Sequence, residues 1–413
     1  MHPTRIIIVG AGFGGIYALK RFHELFHANK SVEVTLVNEK NYFLFTPLLH
    51  EIATGGINPQ NVIEPIRKVL GCCLHTLCLG KATKVDLSKS ILETTAGNLS
   101  YDYLLLAPGA ETNFYDTPGA REYSFSLKSL DNAIRIKNHC IALIEQSSHI
   151  SDRVRRKNTL RFVVVGGGPT GVELVAELQE FLKCTFSRYY PKDVIDDISI
   201  ILVQKASELL PQFSKPLRTK SIEILKKKGI DVRLETSVTR VSKDEIELHN
   251  GEIIGTKTVL WVAGIQPINI PFTEAIEQDK NGKLKVNQYL QLEKHLEVYV
   301  IGDIALVKSE NGSPLPSLAQ VAVQEARVVV DNIKRQINKQ ILKPFVYKSS
   351  GTLVSIGQWM AIGEISHFVL WGHLTWWIWC TIYLSKLISW PKKVKVAIDW
   401  TINVFSARDI SKL

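Results

Sequence analysis

The stretch that decides the fold is Arg5-Ile6-Ile7-Ile8-Val9-Gly10-Ala11-Gly12-Phe13-Gly14-Gly15, an apolar strand that runs directly into a glycine-rich turn. An apolar helical pattern follows, and a second strand, Val32 to Asn38, ends at Glu39. This order is typical of a dinucleotide site, because the glycines and the helix N-terminus approach a pyrophosphate while an acidic residue binds the ribose. The alternative is a glycine turn that binds no ligand.

The same order of strand, turn and helix recurs at Arg161-Phe162-Val163-Val164-Val165-Gly166-Gly167-Gly168-Pro169-Thr170-Gly171. Two such turns predict two bound dinucleotides. The first unit is closed by a strand that ends at Ala107-Pro108-Gly109, and the second by a strand that ends at Ala263-Gly264. We therefore predict an α/β protein with two Rossmann-type domains, the second inserted in the first.

The remaining segments predict the domain boundaries. A buried strand, Val298 to Ile301, ends at Gly302-Asp303, and a long helix is predicted to begin near Gln320. We predict a first domain made of residues 1–116 and 269–345, a second domain of residues 117–268, and a C-terminal region of residues 346–413.

Charge and cysteine content restrict the function less than the glycine turns do. The net charge of +10 suits nucleic acid, an acidic protein or an anionic membrane, and does not choose among them. The six cysteines form no CxxC pair, so they predict reduced thiols and no metal site, and the vicinal Cys72-Cys73 pair is expected to be passive. We expect no targeting peptide ahead of a strand that begins at Arg5.

The C-terminal region differs from the rest of the chain. Seven of the eight tryptophans follow residue 358, and Phe368 to Ser389 is almost continuously apolar, which predicts a transmembrane helix or an interfacial segment. Lys392 to Phe405 has an amphipathic helical pattern with lysines beside it. We favour an amphipathic anchor, residues 366–413, that lies on an anionic lipid surface.

Taken together, the whole chain resembles the type II NADH dehydrogenases, which are single-subunit NADH:quinone oxidoreductases of the two-dinucleotide-binding-domain flavoproteins. The motifs that carry the resemblance are the first glycine turn with Glu39, Thr46-Pro47-Leu48-Leu49, Thr112-Asn113-Phe114, Gly171-Val172-Glu173-Leu174, Gly302-Asp303 and Ala319-Gln320-Val321-Ala322-Val323-Gln324. The resemblance implies hydride transfer from NADH to FAD and electron transfer to a membrane quinone, without proton pumping.

The resemblance also implies the site residues. Those expected at FAD are Gly10, Gly12, Phe13, Gly14, Gly15, Glu39, Thr46, Pro47, Ala107, Gly109, Asp303, Ala319 and Gln320. Those expected at the nicotinamide nucleotide are Gly166, Gly168, Pro169, Thr170, Gly171, Gln204, Ala263 and Gly264. Gln320 and Gln324 are expected where quinone enters. Glu173 is expected to relay protons or to position nicotinamide and quinone; the alternative is a glutamate favoured by the helix dipole.

One residue departs from the family pattern. The strand Ile198 to Val203 is followed by Gln204-Lys205, where relatives that prefer NADH usually carry an acidic residue. Glutamine does not repel a 2′-phosphate and the neighbouring lysine attracts one, so use of NADPH stays open, although we favour NADH.

Two other classes of protein remain as alternatives. A sulfide:quinone oxidoreductase needs cysteines beside the flavin, and no cysteine lies near Ala107 to Gly109 or near Gln320. A flavoprotein resembling apoptosis-inducing factor would use its positive charge for DNA, whereas the basic residues here accompany tryptophans. We expect no nucleic-acid partner, a location on the cytoplasmic face of a bacterial inner membrane, and leave open a homodimer formed through the tail.

Overall fold

The structure is a computed structural model that describes residues 2–27, 31–70, 75–309, 311–366 and 368–412. Buried strands and amphipathic helices alternate along the chain. The Cys72-Cys73 pair lies outside the described residues. The helices are α1 (Phe13–Phe26), α2 (Leu49–Ala53), α3 (Ile66–Leu70), α4 (Ala120–Tyr123), α5 (Leu130–Ser147), α6 (Arg153–Thr159), α7 (Pro169–Gln179), α8 (Lys192–Asp196), α9 (Lys215–Lys227), α10 (Ala319–Ile337), α11 (His373–Lys386) and α12 (Trp390–Phe405).

The strands are short, as expected for an α/β protein with several small sheets. They are β1 (Thr4–Val9), β2 (Val32–Asn38), β3 (Tyr42–Leu44), β4 (Ile63–Pro65), β5 (His75–Leu79), β6 (Ala82–Asp86), β7 (Ile91–Thr94), β8 (Gly97–Ser100), β9 (Tyr103–Leu106), β10 (Ala110–Thr112), β11 (Phe125–Ser126), β12 (Arg161–Val165), β13 (Ser199–Val203), β14 (Asp231–Arg233), β15 (Val238–Val241), β16 (Glu245–Leu248), β17 (Ile253–Gly255), β18 (Thr258–Trp261), β19 (Ile265–Pro267), β20 (Leu284–Lys285), β21 (Gln291–Leu292), β22 (His295–Val300), β23 (Ala305–Leu306), β24 (Thr352–Ser355), β25 (Ala361–Ile365) and β26 (Phe368–Gly372).

The first unit consists of residues 1–44, 63–111 and 265–349. Its main sheet has the order β21-β22-β9-β1-β2-β5, and β1 pairs in parallel with both β2 and β9. Every residue from Ile6 to Val9 is buried, as is usual in a parallel sheet that is covered on both faces. Because parallel strands end at the same edge, the turn after β1 and the end of β2 lie side by side.

The second unit consists of residues 45–62, 112–264 and 350–413. Its main sheet has the order β11-β18-β12-β13-β14, and each neighbouring pair of strands is parallel. The predicted strand before Gln204 is found as β13, and α7 begins at Pro169, directly after the second glycine turn. The α/β fold class with two Rossmann-type sheets is therefore confirmed.

The C-terminal segment of the second unit begins with the antiparallel sheet β24-β25-β26. The apolar run that starts at Phe368 is divided between β26 and α11, at Gly372, whose φ of +101° favours glycine. The predicted second helix is found as α12, in which Val396 and Trp400 are buried, whereas the apolar residues predicted to share a face, Val394, Ile398, Ile402 and Phe405, are exposed. In the described part of the chain, no helix is both long and apolar enough to cross a membrane.

Candidate functional site

Two glycines of the first turn are required by the packing of the protein itself. Gly10 has a φ of +95°, and a Cβ atom placed on it would stand 2.2 Å from the carbonyl oxygen of Ala107. A Cβ atom on Gly15 would stand 1.8 Å from the carbonyl oxygen of Gly10. These positions let the strand turn sharply and bring α1 close to β1. Any larger residue at either position would displace backbone.

Gly12 is different, because none of the residues that the structure describes requires a glycine there. Its φ of −76° is one that any residue adopts. A Cβ atom on Gly12 would meet no described atom of the protein within 4 Å. The space in front of this residue lies at the N-terminus of α1, and the N-termini of helices bind phosphate. A ligand that approaches the backbone closely accounts for a glycine in this place.

In the second turn, too, two glycines are required by the packing of the protein and a third glycine is not. Gly166 has a φ of +115°, and a Cβ atom on Gly171 would stand 1.8 Å from the carbonyl oxygen of Gly166. Gly168 has an ordinary φ of −75°, and a Cβ atom on it would meet no described atom within 4 Å. Each unit therefore has a turn shaped by two glycines and a third glycine that faces open space. The residues present fit a pyrophosphate at both turns.

Side-chain amides brace both turns from the neighbouring strand. The N–H of Ala11 donates to Oδ1 of Asn38 over 3.0 Å, and the N–H of Gly167 donates to Oε1 of Gln204 over 2.9 Å. Val9 pairs with Val37 and Val165 with Val203, so Asn38 and Gln204 occupy equivalent positions. Glu39 corresponds instead to Lys205, and both are exposed. Glu39 and Gln204 were both predicted as site residues, whereas Asn38 was not; counting from the last paired residue of each strand would have found it.

The helix α10 begins at the predicted Ala319 and Gln320, and both residues are half-buried. The amide of Gln324 forms two hydrogen bonds with the backbone of Lys348: Nε2 donates to its carbonyl oxygen over 2.8 Å, and Oε1 accepts from its N–H over 3.1 Å. This pairing fixes the orientation of Gln324.

A buried carboxyl group supports the loop that carries Asp303. Oε2 of Glu325, a residue that is 1% exposed, accepts from the N–H of Gly302 over 2.6 Å. Burial raises the pKa of Glu325 to about 7, although the Gly302 hydrogen bond acts in the opposite direction. Glu325 was not among the residues predicted from the sequence. The signal was a glutamate on the apolar face of an amphipathic helix.

Glu173 lies inside the second unit rather than on the solvent-exposed surface of α7. It is 6% exposed, and its Oε1 accepts from the N–H of Ser355 over 3.3 Å. Its Oε2 lies 3.7 Å from Nδ1 of His50. Burial raises the pKa of Glu173 well above its ordinary value, and the charges of Glu51 and Glu177 act in the same direction.

Glu51 on α2 is a second buried carboxyl group of this unit. It is 6% exposed, and the indole N–H of Trp400 donates to its Oε2 over 2.7 Å. Burial, together with the charge of Glu177, raises the pKa of Glu51 to about 8. Burial and the charge of Arg408 lower the pKa of His50 to about 3, so this imidazole is neutral.

Arg408 forms ion pairs with two further glutamates of the second unit, Glu177 and Glu180. Its Nη2 lies 2.6 Å from Oε2 of Glu177 and 3.2 Å from Oε2 of Glu180. Nζ of Lys228 lies 2.6 Å from Oε1 of Glu180. Sequence analysis missed this cluster, although Glu173 and Glu177 lie four residues apart on one face of α7.

The other predicted residues lie in both units. In the first unit, Ala107 and Gly14 are buried, Phe13 packs edge-on against Phe43, and Gly109 has a φ of +82°. In the second unit, Thr46 and Thr170 are exposed, Pro47 and Pro169 are half-buried, and Gly264 lies against Tyr115 beside half-buried Ala263. Thr46 and Pro47 thus belong to a different unit from the other residues expected at FAD.

The C-terminal segment carries a set of large apolar side chains that are exposed. We call it the tail apolar face, and it comprises Phe368, Val369, Trp371, Leu374, Trp377, Trp390, Val394, Ile398, Ile402 and Phe405. Lysines 392, 393 and 395 accompany it. Large exposed apolar surfaces of this kind mark interaction sites.

Comparison with known proteins identifies relatives over the whole chain. The family model described as pyridine nucleotide-disulphide oxidoreductase matches residues 4–326, and the model of the NDH2 C-terminal domain matches residues 349–409. A Dictyostelium discoideum protein named "Probable NADH dehydrogenase" is 30% identical over 422 residues, which cover 100% of this chain and 92% of the relative.

A second relative and a solved structure agree with this result. The type II NADH:quinone oxidoreductase Ndh of Mycobacterium tuberculosis is 28% identical over 420 residues, which cover 98% of this chain and 89% of the relative. The solved structure of NDH2 from Plasmodium falciparum in complex with NADH superposes with a TM-score of 0.91 at 24% identity and covers 100% of both chains. The superposition shows that the two folds agree.

Proposed function

The chain belongs to the type II NADH dehydrogenases within the pyridine nucleotide-disulphide oxidoreductase family, and from this membership we propose how its residues transfer electrons from NADH to a quinone. FAD and NADH are its cofactors, and a quinone is its electron acceptor. When bound, FAD supplies the redox chemistry between the two substrates. The proposal rests on Gly12 and Gly168, whose open space and ordinary backbone are explained by a dinucleotide in each unit.

Most of the residues that hold and orient the flavin nucleotide in this proposal belong to the first unit. Residues 1–116 and 269–345 form the FAD-binding domain, with the glycine turn at the pyrophosphate, Glu39 at the ribose and Asp303 at the ribityl hydroxyls. When FAD is bound, the N-terminus of α10, at Ala319 and Gln320, would stabilise the negative charge that the flavin gains on reduction. Gln320 and Gln324 lie where the quinone enters.

The residues of the second unit position the donor and hold a proton. Residues 117–268 form the NAD(P)H-binding domain, with Gly166, Gly168 and Gly171 at the pyrophosphate of the donor. Burial raises the pKa of Glu173 well above its ordinary value, which favours a proton on this carboxyl group. Transfer of that proton to the reduced quinone would complete the quinol.

Anaerobic titration of the detergent-purified holoenzyme tests this function. We expect NADH to bleach the flavin absorbance and a soluble quinone to restore it. A flavin that is bleached by sulfide and not by NADH would establish the sulfide:quinone oxidoreductase alternative. Salt-sensitive retention on DNA without any quinone reduction would establish the nucleic-acid-binding alternative.

Gln204 is expected to allow NADPH as a second donor, because a carboxamide does not repel a 2′-phosphate. We expect Gln204→Glu to lower kcat/KM for NADPH about tenfold relative to NADH, which corresponds to about 1.4 kcal/mol. The measurement is the ratio of the two kcat/KM values. Asn38→Asp, the equivalent change in the other unit, is the control and should leave the ratio unaltered. An unchanged ratio in Gln204→Glu would show that Gln204 does not select the donor.

The tail apolar face is proposed to bind a lipid surface, with residues 346–413 as the anchoring region. Exposed tryptophans and neighbouring lysines suit the headgroup region of an anionic bilayer. The negative surface potential of cytoplasmic leaflets favours that side, and we propose the cytoplasmic face of a bacterial inner membrane. A homodimer formed through the same face is the alternative occupant.

We expect Ile398→Asp with Ile402→Asp to release the protein from anionic vesicles without unfolding it, because both side chains are about half exposed, at 50% and 53%. Val154→Asp, at a residue that is 70% exposed on α6, is the control. Sedimentation with vesicles measures binding, and the mass in detergent-free solution detects a dimer. Vesicle binding that survives the double substitution would contradict the anchor. Deletion of residues 366–413 is a poorer test, because it also removes the buried Trp379 and Trp400.

A further inference from the structure

Four carboxyl groups lie together in the interior of the second unit, and we call them the carboxyl cluster: Glu51, Glu173, Glu177 and Glu180. Glu51, Glu173 and Glu177 are each at most 6% exposed, and the side chain of Glu180 is 12% exposed. They come from α2, from α7 and from the π-helical turn Glu180–Thr185 that continues α7. Four negative charges in such a place would be strongly unfavourable unless cations or protons neutralise them.

Two cations face the cluster among the residues that the structure describes. Arg408 pairs with Glu177 and Glu180, and Lys228 pairs with Glu180. Lys137 on α5 is also buried, but its Nζ lies 3.7 Å from Oδ2 of Asp409, which balances its charge.

Three further titratable groups that the structure describes around the cluster, His50, Cys380 and Tyr383, are uncharged. His50 is neutral because its pKa is lowered to about 3 by burial and by Arg408. Cys380 and Tyr383 on α11 are neutral because burial raises the pKa of both. The described side chains thus provide two positive charges for four carboxyl groups.

Charge balance therefore requires two protons on the cluster. Glu177 and Glu180 form the ion pairs, which leaves Glu51 and Glu173 to hold the protons. The contacts agree with this division. Among the described residues, the side-chain donor to Glu51 is the neutral Trp400 N–H, and Glu173 receives a backbone N–H from Ser355. The pKa of each is raised by burial, that of Glu51 to about 8. Burial raises the pKa of Glu180 as well, but there the charges of Lys228 and Arg408 act in the opposite direction.

We propose that Glu51 is a positioning residue for the proton chemistry of Glu173: each carboxyl holds one proton in the resting protein, and Arg408 of the C-terminal segment fixes this number at two. The proton on Glu51 keeps that side chain uncharged, so that Glu173 can release its own proton. When Glu51 ionises, its charge raises the pKa of Glu173 and holds that proton more tightly.

The reaction is balanced with one proton from the cluster. NADH delivers a hydride, which carries both electrons, and one further proton completes the quinol. The O–H bond of Glu173 breaks as an O–H bond of the quinol forms, and the medium then returns a proton to Glu173. This part of the inference rests on the proposed function, whereas the number of protons on the cluster does not.

Infrared spectroscopy of the holoenzyme at neutral pH measures the protons directly, through the C=O stretch of protonated carboxylic acids. We expect Glu51→Gln and Glu173→Gln each to remove one carboxylic-acid band. Arg408→Gln should add such a band, because an ion-paired glutamate then takes up a proton, and Arg408→Lys should restore the original spectrum. Asp197→Asn is the control: this buried carboxyl pairs with Arg153 and Arg156, which hold its pKa down despite burial, so no band should be lost. An unchanged spectrum in Glu51→Gln or in Arg408→Gln would overturn the proton count.

The pH profile of flavin reoxidation by a soluble quinone then tests the coupling to Glu173. In the unmodified protein we expect the rate of flavin reoxidation to fall about tenfold between pH 7 and pH 9, because Glu51, whose pKa is raised to about 8, ionises in this range. Glu51→Gln stays uncharged and should fall less than twofold. An unaltered alkaline decrease in Glu51→Gln would overturn the coupling. Failure of NADH to bleach the flavin of the unmodified protein would instead refute the proposed function, and the infrared result would be unaffected.

Discussion

Gly12→Ala is expected to leave the protein folded and to abolish its retention of FAD. The added methyl group meets no described protein atom within 4 Å and the φ of −76° suits alanine, so the apoprotein should lose less than about 1 kcal/mol of stability. The same methyl group occupies the space through which a pyrophosphate reaches the N-terminus of α1. We expect affinity for FAD to fall at least about 100-fold, or about 3 kcal/mol. The ratio of flavin to protein after purification and the melting curve of the deflavinated protein measure both effects.

Two further glycine substitutions serve as controls for Gly12→Ala. Gly15→Ala places a methyl group 1.8 Å from the carbonyl oxygen of Gly10, so the first unit should be destabilised whether or not flavin is present. Gly168→Ala should keep its flavin and slow bleaching by NADH, because its open space lies in the second unit. A Gly12→Ala protein that purifies with a full complement of flavin would contradict the assignment of FAD to the first turn.

The parts of the fold that sequence analysis predicted well depend on local signals. An apolar strand, a glycine turn and a helix start are contiguous in the chain, so α1 and α7 begin where the glycine turns indicated. The amphipathic period of α12 is likewise local. The division of the apolar run from Phe368 into a strand and a helix could not be predicted from the run itself. The strand β26 is formed by pairing with β25, which lies outside the run.

The candidate site was predicted less completely, because several of its residues come together only through contacts between distant parts of the chain. Glu173 was found because it follows a recognisable turn. Glu51 and Arg408 were not found, because α2 packs against α7 and the last residues of the chain return to both, which brings distant positions together. Asn38 was missed because only the pairing of β1 with β2 shows that it corresponds to Gln204.

Arg408→Gln is expected to destabilise the second unit by about 3–5 kcal/mol at pH 8, because it leaves buried carboxyl groups without their cation. The side chain of Arg408 is 9% exposed, and it also donates from Nη1 to Oγ1 of Thr54 over 3.0 Å. Thermal unfolding of the holoenzyme as a function of pH measures the loss. Arg153→Gln is the control: its side chain is 65% exposed and its partner Asp197 keeps Arg156, so the loss should stay below about 1 kcal/mol.

The pH dependence of this loss distinguishes missing charge from missing packing. In Arg408→Gln, the pKa of Glu180, which burial and the charge of Glu177 already raise above the ordinary value of 4.5, should rise further because an attracting cation is gone. Above pH 4.5 the folded chain then binds more protons than the unfolded chain, so its stability falls as pH increases through the raised pKa. The deficit should therefore be smallest near pH 5 and largest near pH 8. A deficit that is equal at both pH values would mean that Arg408 acts by filling space, and the charge balance proposed for the carboxyl cluster would be wrong.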